Sequence, residues 1–352
     1  MQVNSKTLQK FSEIFKKIST SEKERRPPHL LMRILFCNFR HTYQTFGLMK
    51  TGIRLLILAV SVMALSSCGG NKKVTIKEVG GIKATVELKS KGDLIILKER
   101  FEKAGIPNVT YTEEGNKLYT FELPGERDEE RIARLISAEG KLEFWTTIDV
   151  SEIPLFSNPE SAFGGDVPVD VMPLYSHFSC GNDYNCFRAC YGWASDTDTA
   201  AVNRLLASPV IKKYLPAGLR TYWTLKPNFE GKYELIGVDA NGNNAPLDSK
   251  VITEVSVEKE PTPCININMN ERGSKIWAGI TRENIGKQIA MVLDGKVLSY
   301  PIVMSEITGG KSQITGNFTL QEMVEIATII ESSKHPAHAI VKEIKWVSPS
   351  AE

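Results

Sequence analysis

Apolar and polar side chains alternate over 84–88, which predicts a strand. Leu94, Leu97 and Phe101 then recur at helical spacing and stop at Gly105, a residue suited to a left-handed helix end. Two β-rich runs, 109–111 and 118–121, flank a polar stretch at 113–116 that reads as a hairpin turn. Pro124 and Gly125 break the second run. Residues 127–137 are charged on one side and carry Ile132, Leu135 and Ile136 on the other, an amphipathic helix. A strand over 142–148 follows. The order β-α-β-β-α-β predicts an α+β fold with a ferredoxin-like unit, an antiparallel sheet carrying helices on one face.

Residues 150–195 break the pattern, being rich in Pro, Gly, Ser and Asp and holding three cysteines. They predict a loop-rich insertion. Periodicity resumes with a helix over 199–206 and strands over 222–225 and 233–238, the latter closed by a turn at 239–243. A strand over 265–269 and a helix over 271–280 come next. The runs 289–293 and 296–300 flank Asp294-Gly295, a pair suited to the two positive-φ positions of a tight hairpin. A helix over 320–330 and a strand over 339–346 complete the pattern.

The start of the chain is different. Residues 55–65 form an apolar run too short for a bilayer-crossing helix, which needs about 20 residues. The run fits the core of a signal peptide, and Lys50 and Arg54 supply its positive flank. Leu65-Ser66-Ser67-Cys68 resembles the lipobox of bacterial lipoproteins. That resemblance implies acylation of the Cys68 thiol and cleavage just before it. Met49 is a natural start, so 49–67 reads as the signal peptide and 68–78 as a polar linker. Residues 1–48 then read as an extension from an upstream start codon, or as a basic cytosolic tail.

Removing residues 1–67 changes the charge. They hold 11 of the 43 Lys and Arg but 3 of the 41 Asp and Glu, leaving 32 against 38, a formal charge of −6. This mildly acidic remainder has no electrostatic footprint for nucleic acid. Cys180, Cys186, Cys190 and Cys264 remain beyond the anchor, an even number that favours disulfides in an exported chain, with three pairings open. A zinc reading of the same cysteines lacks the usual tight paired spacing and a nearby fourth ligand.

Other chemistry is thin. Residues 308–312, T-G-G-K-S, resemble the tail of a phosphate-binding loop, but Ser305 stands where the first glycine belongs, and a strand follows instead of a helix. His335 with His338, and His177 with Cys190, have simpler readings as surface histidines and oxidised thiol. Asp294 is accounted for as a turn residue. No catalytic constellation, metal or cofactor is expected.

The C-terminal block resembles a known family. It runs Thr281-Arg-Glu-Asn284-Ile-Gly286-Lys-Gln-Ile-Ala290, then Leu293-Asp294-Gly295-Lys-Val-Leu-Ser299-Tyr-Pro301. It continues through Ile307-Thr308-Gly309-Gly310 and Ile314-Thr-Gly316-Asn-Phe318-Thr319. Upstream, Gly80-Gly81, the L-P-G ending in Pro124 and Gly125, and the L-E-F of 142–144 fit the same pattern. Over about 79–349 the chain resembles the large periplasmic domain of SecD, the protein-export membrane subunit, especially in fused SecDF proteins. The resemblance implies a base from 79–148 plus 318–347, an irregular connection over 149–219 and an inserted α+β head over 220–317. It also implies a non-catalytic role in which the head holds exported, unfolded polypeptides, with SecYEG or SecDF components as partners. Two departures matter: a lipobox stands where SecD has its first membrane helix, and the proton-relay segments of SecD have no counterpart here. The expectation is a lipid-anchored protein facing the periplasm. The alternatives are an envelope interaction lipoprotein reusing the fold and a remnant of a transporter.

Overall fold

The computed structural model describes residues 73–158, 160, 163–180, 188–334 and 336–350, with the side chain of Cys180 outside the description. Cys68, Cys186, His335 and the signal segment also lie outside the described residues. Among the described residues no helix is long and apolar enough to cross a membrane.

A short helix, α1 (Ile76–Val79), leads into β1 (Gly81–Leu88), α2 (Lys91–Lys103), β2 (Thr110–Gly115), β3 (Leu118–Pro124) and α3 (Glu129–Ser137). Local chemistry sets these limits. Ser90 caps α2 and Asp93 reaches back to the Ser90 amide at 2.7 Å, a reciprocal capping box. At the other end Gly105, at φ +76°, and Ile106 donate to the carbonyls of Glu102 and Phe101, which ends the helix in a Schellman turn. The hairpin between β2 and β3 turns on Asn116 and Lys117, both at positive φ, at the end of the expected 113–116 stretch and one residue beyond it.

The base sheet has the order β15-β1-β3-β2, in which β15 is Ala339–Val347, and is antiparallel throughout. Its inward face carries Ile82, Ala84, Val86, Tyr119, Phe121 and Leu123, packed with Leu97 and Phe101 of α2 and Ile132, Leu135 and Ile136 of α3. Phe101 meets Phe121 edge-on at 5.4 Å. Each such fully buried Leu or Phe contributes about 1.5–3 kcal/mol. The outward face is polar, with Thr85 and Thr120 hydroxyls 3.0 Å apart and Lys83 bridged to Glu122. This is the ferredoxin-like arrangement, α+β as the pattern implied.

One strand is not where the local order put it. β4 (Leu142–Thr146) leaves the base and pairs with β12 (Ile289–Leu293), in a sheet ordered β13-β12-β4-β9 that includes β13 (Lys296–Ser299) and β9 (Leu247–Asp248). The reason lies in the residues: Leu142, Glu143, Phe144 and Trp145 are all buried, so the strand needs cover on both faces. The fourth base strand is instead β15 (Ala339–Val347), paired to β1. The split unit is therefore completed from the far end of the chain, after α9 (Leu320–Ser332).

The 149–219 connection is more ordered than its composition implied. It holds α4 (Pro154–Ser157), α5 (Met172–His177), β5 (Ser179–Cys180), β6 (Cys190–Ala194), α6 (Asp196–Leu206) and α7 (Pro209–Lys212). Its strands form a third sheet, β5-β6-β8-β7, with β7 (Leu219–Trp223) and β8 (Tyr233–Asp239), so the 219/220 boundary falls inside that sheet. The segment has its own core, in which Phe156 stacks on Tyr191 at 4.9 Å and meets Phe178 at 5.8 Å. Aromatic packing organises it. No disulfide is found among the described residues: Cys264 is a buried free thiol, and Cys190 is buried with its Sγ 3.6 Å from the Gly192 carbonyl oxygen.

Candidate functional site

The head's third element group is a sheet ordered β10-β11-β14, from β10 (Ile252–Glu258), β11 (Cys264–Met269) and β14 (Lys311–Ile314). The inward residues Ile265, Ile267 and Ile314 are fully buried. After β11 comes α8 (Glu271–Glu283), capped by the Asn270 side chain, which accepts from the Gly273 amide at 2.8 Å. Gly273 lies against Val251 and Met269, where a Cβ would press on Val251 at 2.7 Å, so this glycine lets the helix settle on its sheet.

Between β14, α8 and the segment 301–307 lies a groove of about 680 Å³. Trp277, Ile289, Met291 and Ile307 form its apolar wall, while Asn266, Asn268, Ser312 and Gln313 supply amides and hydroxyls. Lys311 is the one charged residue lining it. Ile302 and Met304 stand in its rim at 44% and 83% exposure, with Ile285, whose backbone bridges to Val303, at 54%. Large aliphatic side chains left this open mark a binding surface more often than a structural one. Trp277 is 2% exposed, and its Nε1–H is itself buried without a hydrogen-bond partner. Phe144 holds the indole edge-on at 5.2 Å.

The sequence-marked positions explain how this groove is built. Asn284 ends α8, its side-chain amide donating to the Ile280 carbonyl at 2.8 Å. Gly286, at φ +78°, donates to Val303, and Val303 donates back to Lys287, which fixes the rim segment. Pro301 lines the groove and its carbonyl accepts from Ile289. Thr281, fully buried, donates to the Trp277 carbonyl and accepts from the Ile307 amide at 3.0 Å. Gly310, at φ +62°, lies against Ser274, so no side chain fits there. Gly316 is close to the Phe318 ring. Pro124 and Gly125 lie elsewhere, at the end of β3, where Gly81 packs against the backbone of Leu123 and Pro124.

Asp294 does more than turn a hairpin. It sits at φ +48° beside Gly295 at φ +82°, as a tight turn requires. Its carboxylate also accepts from the backbone amides of Glu139, Gly140 and Lys141 at 3.1, 3.1 and 2.8 Å. Those amides lie where the chain leaves the base, so the head hairpin is fastened there. Gly140, at φ +78°, is pressed against the Ile329 carbonyl of α9. Sequence spacing offered no signal for this contact, because the partners are backbone groups about 150 residues away.

Two arginines were also missed. Arg131 bridges Glu325 and Glu126, both at 2.6 Å, and donates to the Ala104 carbonyl. Burial opposes its charge, but the two carboxylates outweigh that and hold it more basic than usual. Arg100 is 1% exposed and joins the Leu135 carbonyl to Ser332, with burial depressing its basicity. Both tie base helices together and read as structural. Burial likewise pushes the Cys264 thiol up, with Glu258 adding to it, which disfavours the thiolate. No group of three or more His, Cys, Asp and Glu side chains suited to a metal occurs among the described residues.

Comparison with known proteins bears on this arrangement. Residues 241–337 match the family described as SecDF, P1 head subdomain, a span containing the whole groove apart from its Phe144 support. The chain is 30% identical over 289 residues to the protein translocase subunit SecD of Rhodothermus marinus, covering 72% of this chain and 46% of that one. It is 24% identical over 256 residues to SecD of Calditerrivibrio nitroreducens, covering 72% and 40%. The chain thus spans under half the length of these relatives. A crystal structure of SecDF in a super-membrane-facing form aligns at 20% identity with a TM-score of 0.41, covering 84% of this chain and 35% of that one.

Proposed function

Because the chain carries a periplasmic domain of the SecD/SecDF type, we propose that it is a non-catalytic, lipid-anchored binding protein that holds exported polypeptides outside the cytoplasmic membrane. The observation that carries this reading is the head groove: an apolar wall, exposed Ile302 and Met304, and neutral hydrogen-bonding groups with a single lysine. An unfolded chain offers apolar side chains at intervals along a backbone rich in donors and acceptors. A groove of this composition meets both without demanding a sequence.

The anchor is Cys68 and the destination the periplasmic side of the envelope, on the charge, length and lipobox pattern of 49–68. Partners are exported polypeptides and, through them, translocon components such as SecYEG or SecDF.

Site-specific photo-crosslinking tests this. A crosslinker at Met304 in cells should capture newly exported chains, while one at Glu113, on the exposed strand β2, should not. Equal capture at both positions, or none at Met304, overturns the reading.

A further inference from the structure

The corner of the base where the described chain begins and ends carries apolar side chains that no packing explains. Trp346 is 42% exposed, Val79 43% and Val74 37%, whereas Trp145, Trp223 and Trp277 are at most 5% exposed. These residues lie together. The Ser350 amide donates to the Lys77 carbonyl at 2.9 Å, a Cβ at Gly80 would strike Pro349 and Val347, and Trp346 pairs with Ile82 beside them. Trp346 is also held in place: its backbone N–H reaches the Glu129 carboxylate at 2.9 Å, and the Arg127 guanidinium lies 5.9 Å from its ring centre. A large indole kept rigid and half in solvent needs a partner.

The chain outside the described residues says what that partner is. Cys68 stands seven positions before Thr75, the cap of α1. Seven residues reach at most about 25 Å, and as a flexible linker span roughly 15 Å. An acyl group on Cys68 therefore keeps this corner within the headgroup layer's reach. Tryptophan favours that layer, where its ring is sheltered and its N–H stays wet. Lys73 and Lys77 are exposed on the same corner and can lay their stems along it with their charges outward. The exposed carboxylates beside it are engaged by backbone amides, Glu78 by that of Thr75 and Glu129 by that of Trp346.

We propose that this corner rests on the phospholipid bilayer, with Trp346, Val79 and Val74 in the interfacial layer, fixing the orientation of the base. The inference rests on the lipid-anchor reading above and adds a second contact to it. The test uses the full-length protein, expressed with radiolabelled palmitate and reconstituted in phosphatidylethanolamine–phosphatidylglycerol vesicles with and without brominated acyl chains. Expected are palmitate incorporation and a loss of tryptophan emission in brominated vesicles, a loss that Trp346→Phe removes. Vesicle protection of the 74–80 amides from hydrogen exchange gives a second reading should that variant misfold. Palmitate incorporation with neither quenching nor protection overturns the bilayer face and keeps the anchor. Quenching without palmitate keeps the face and sinks the anchor, and absence of both overturns the two together.

Discussion

If Asp294 is only a turn residue, glycine should replace it at no cost, since its φ of +48° suits glycine and Gly-Gly turns are common in tight hairpins. The structure makes a different prediction, because the carboxylate also accepts three backbone amides. Hydrogen bonds to a charged group contribute about 1.5–3 kcal/mol each. Glu139 and Lys141 are exposed, so water recovers most of their share, while Gly140 is buried and does not. The Asp294→Gly variant should therefore lose about 2–3 kcal/mol, which for a domain of this size corresponds to roughly 5–10 °C in melting temperature. Asp294→Asn, which keeps one acceptor oxygen and tolerates positive φ, should fall between wild type and glycine. Urea titration gives the free energies, and hydrogen exchange should show the 139–141 amides losing protection first. An Asp294→Gly protein as stable as wild type, with those amides still protected, refutes the fastening role.

Further outcomes follow from other contacts. Gly237→Ala should destabilise by about 1–3 kcal/mol in urea, as overpacking does, because its Cβ would collide with the buried Tyr191 ring; an unchanged midpoint would count against that packing. Burial works against the Glu322 charge, yet Lys226 at 2.8 Å and the Thr319 cap hold its carboxyl below the ordinary 4.5. Its contribution is thus fully present above 4.5 and lost as pH falls through the lower folded value. Lys226→Met should therefore lower stability at neutral pH and change it little once Glu322 is protonated, which flattens the acid limb of a stability–pH curve; an equal loss at both ends would count against the pair. Cys264 should resist maleimide in the native protein and label at once in urea, as read by mass; fast native labelling would show the thiol to be accessible.

Much of the base, and one hairpin of the head, was legible because the signals are local. The Leu94–Leu97–Phe101 spacing, the Gly105 stop and the Asp294-Gly295 turn each act within a few residues, and each element stands where they put it. The destination of β4 was not legible. Its apolar run fits any buried strand, and the choice of β12 over β1 depends on partners far along the chain. Composition misled at 149–219, where Pro and Gly suggested loops but Phe156, Phe178 and Tyr191, spread over 36 positions, make a core. The groove was half legible. Its motif residues drew notice as a pattern, while the exposed Ile302 and Met304 read as ordinary apolar residues until the fold left them uncovered.

The central claim is that the head groove binds unfolded polypeptide through its open apolar rim. The most direct measurement is the fluorescence anisotropy of a labelled, permanently unfolded polypeptide titrated with the full-length protein and with its Ile302→Glu, Met304→Glu double variant. The account predicts saturable binding that weakens about tenfold or more in the variant, the loss expected when two central apolar contacts become charges. Equal affinity for the two proteins, with both folded alike by circular dichroism, would contradict it.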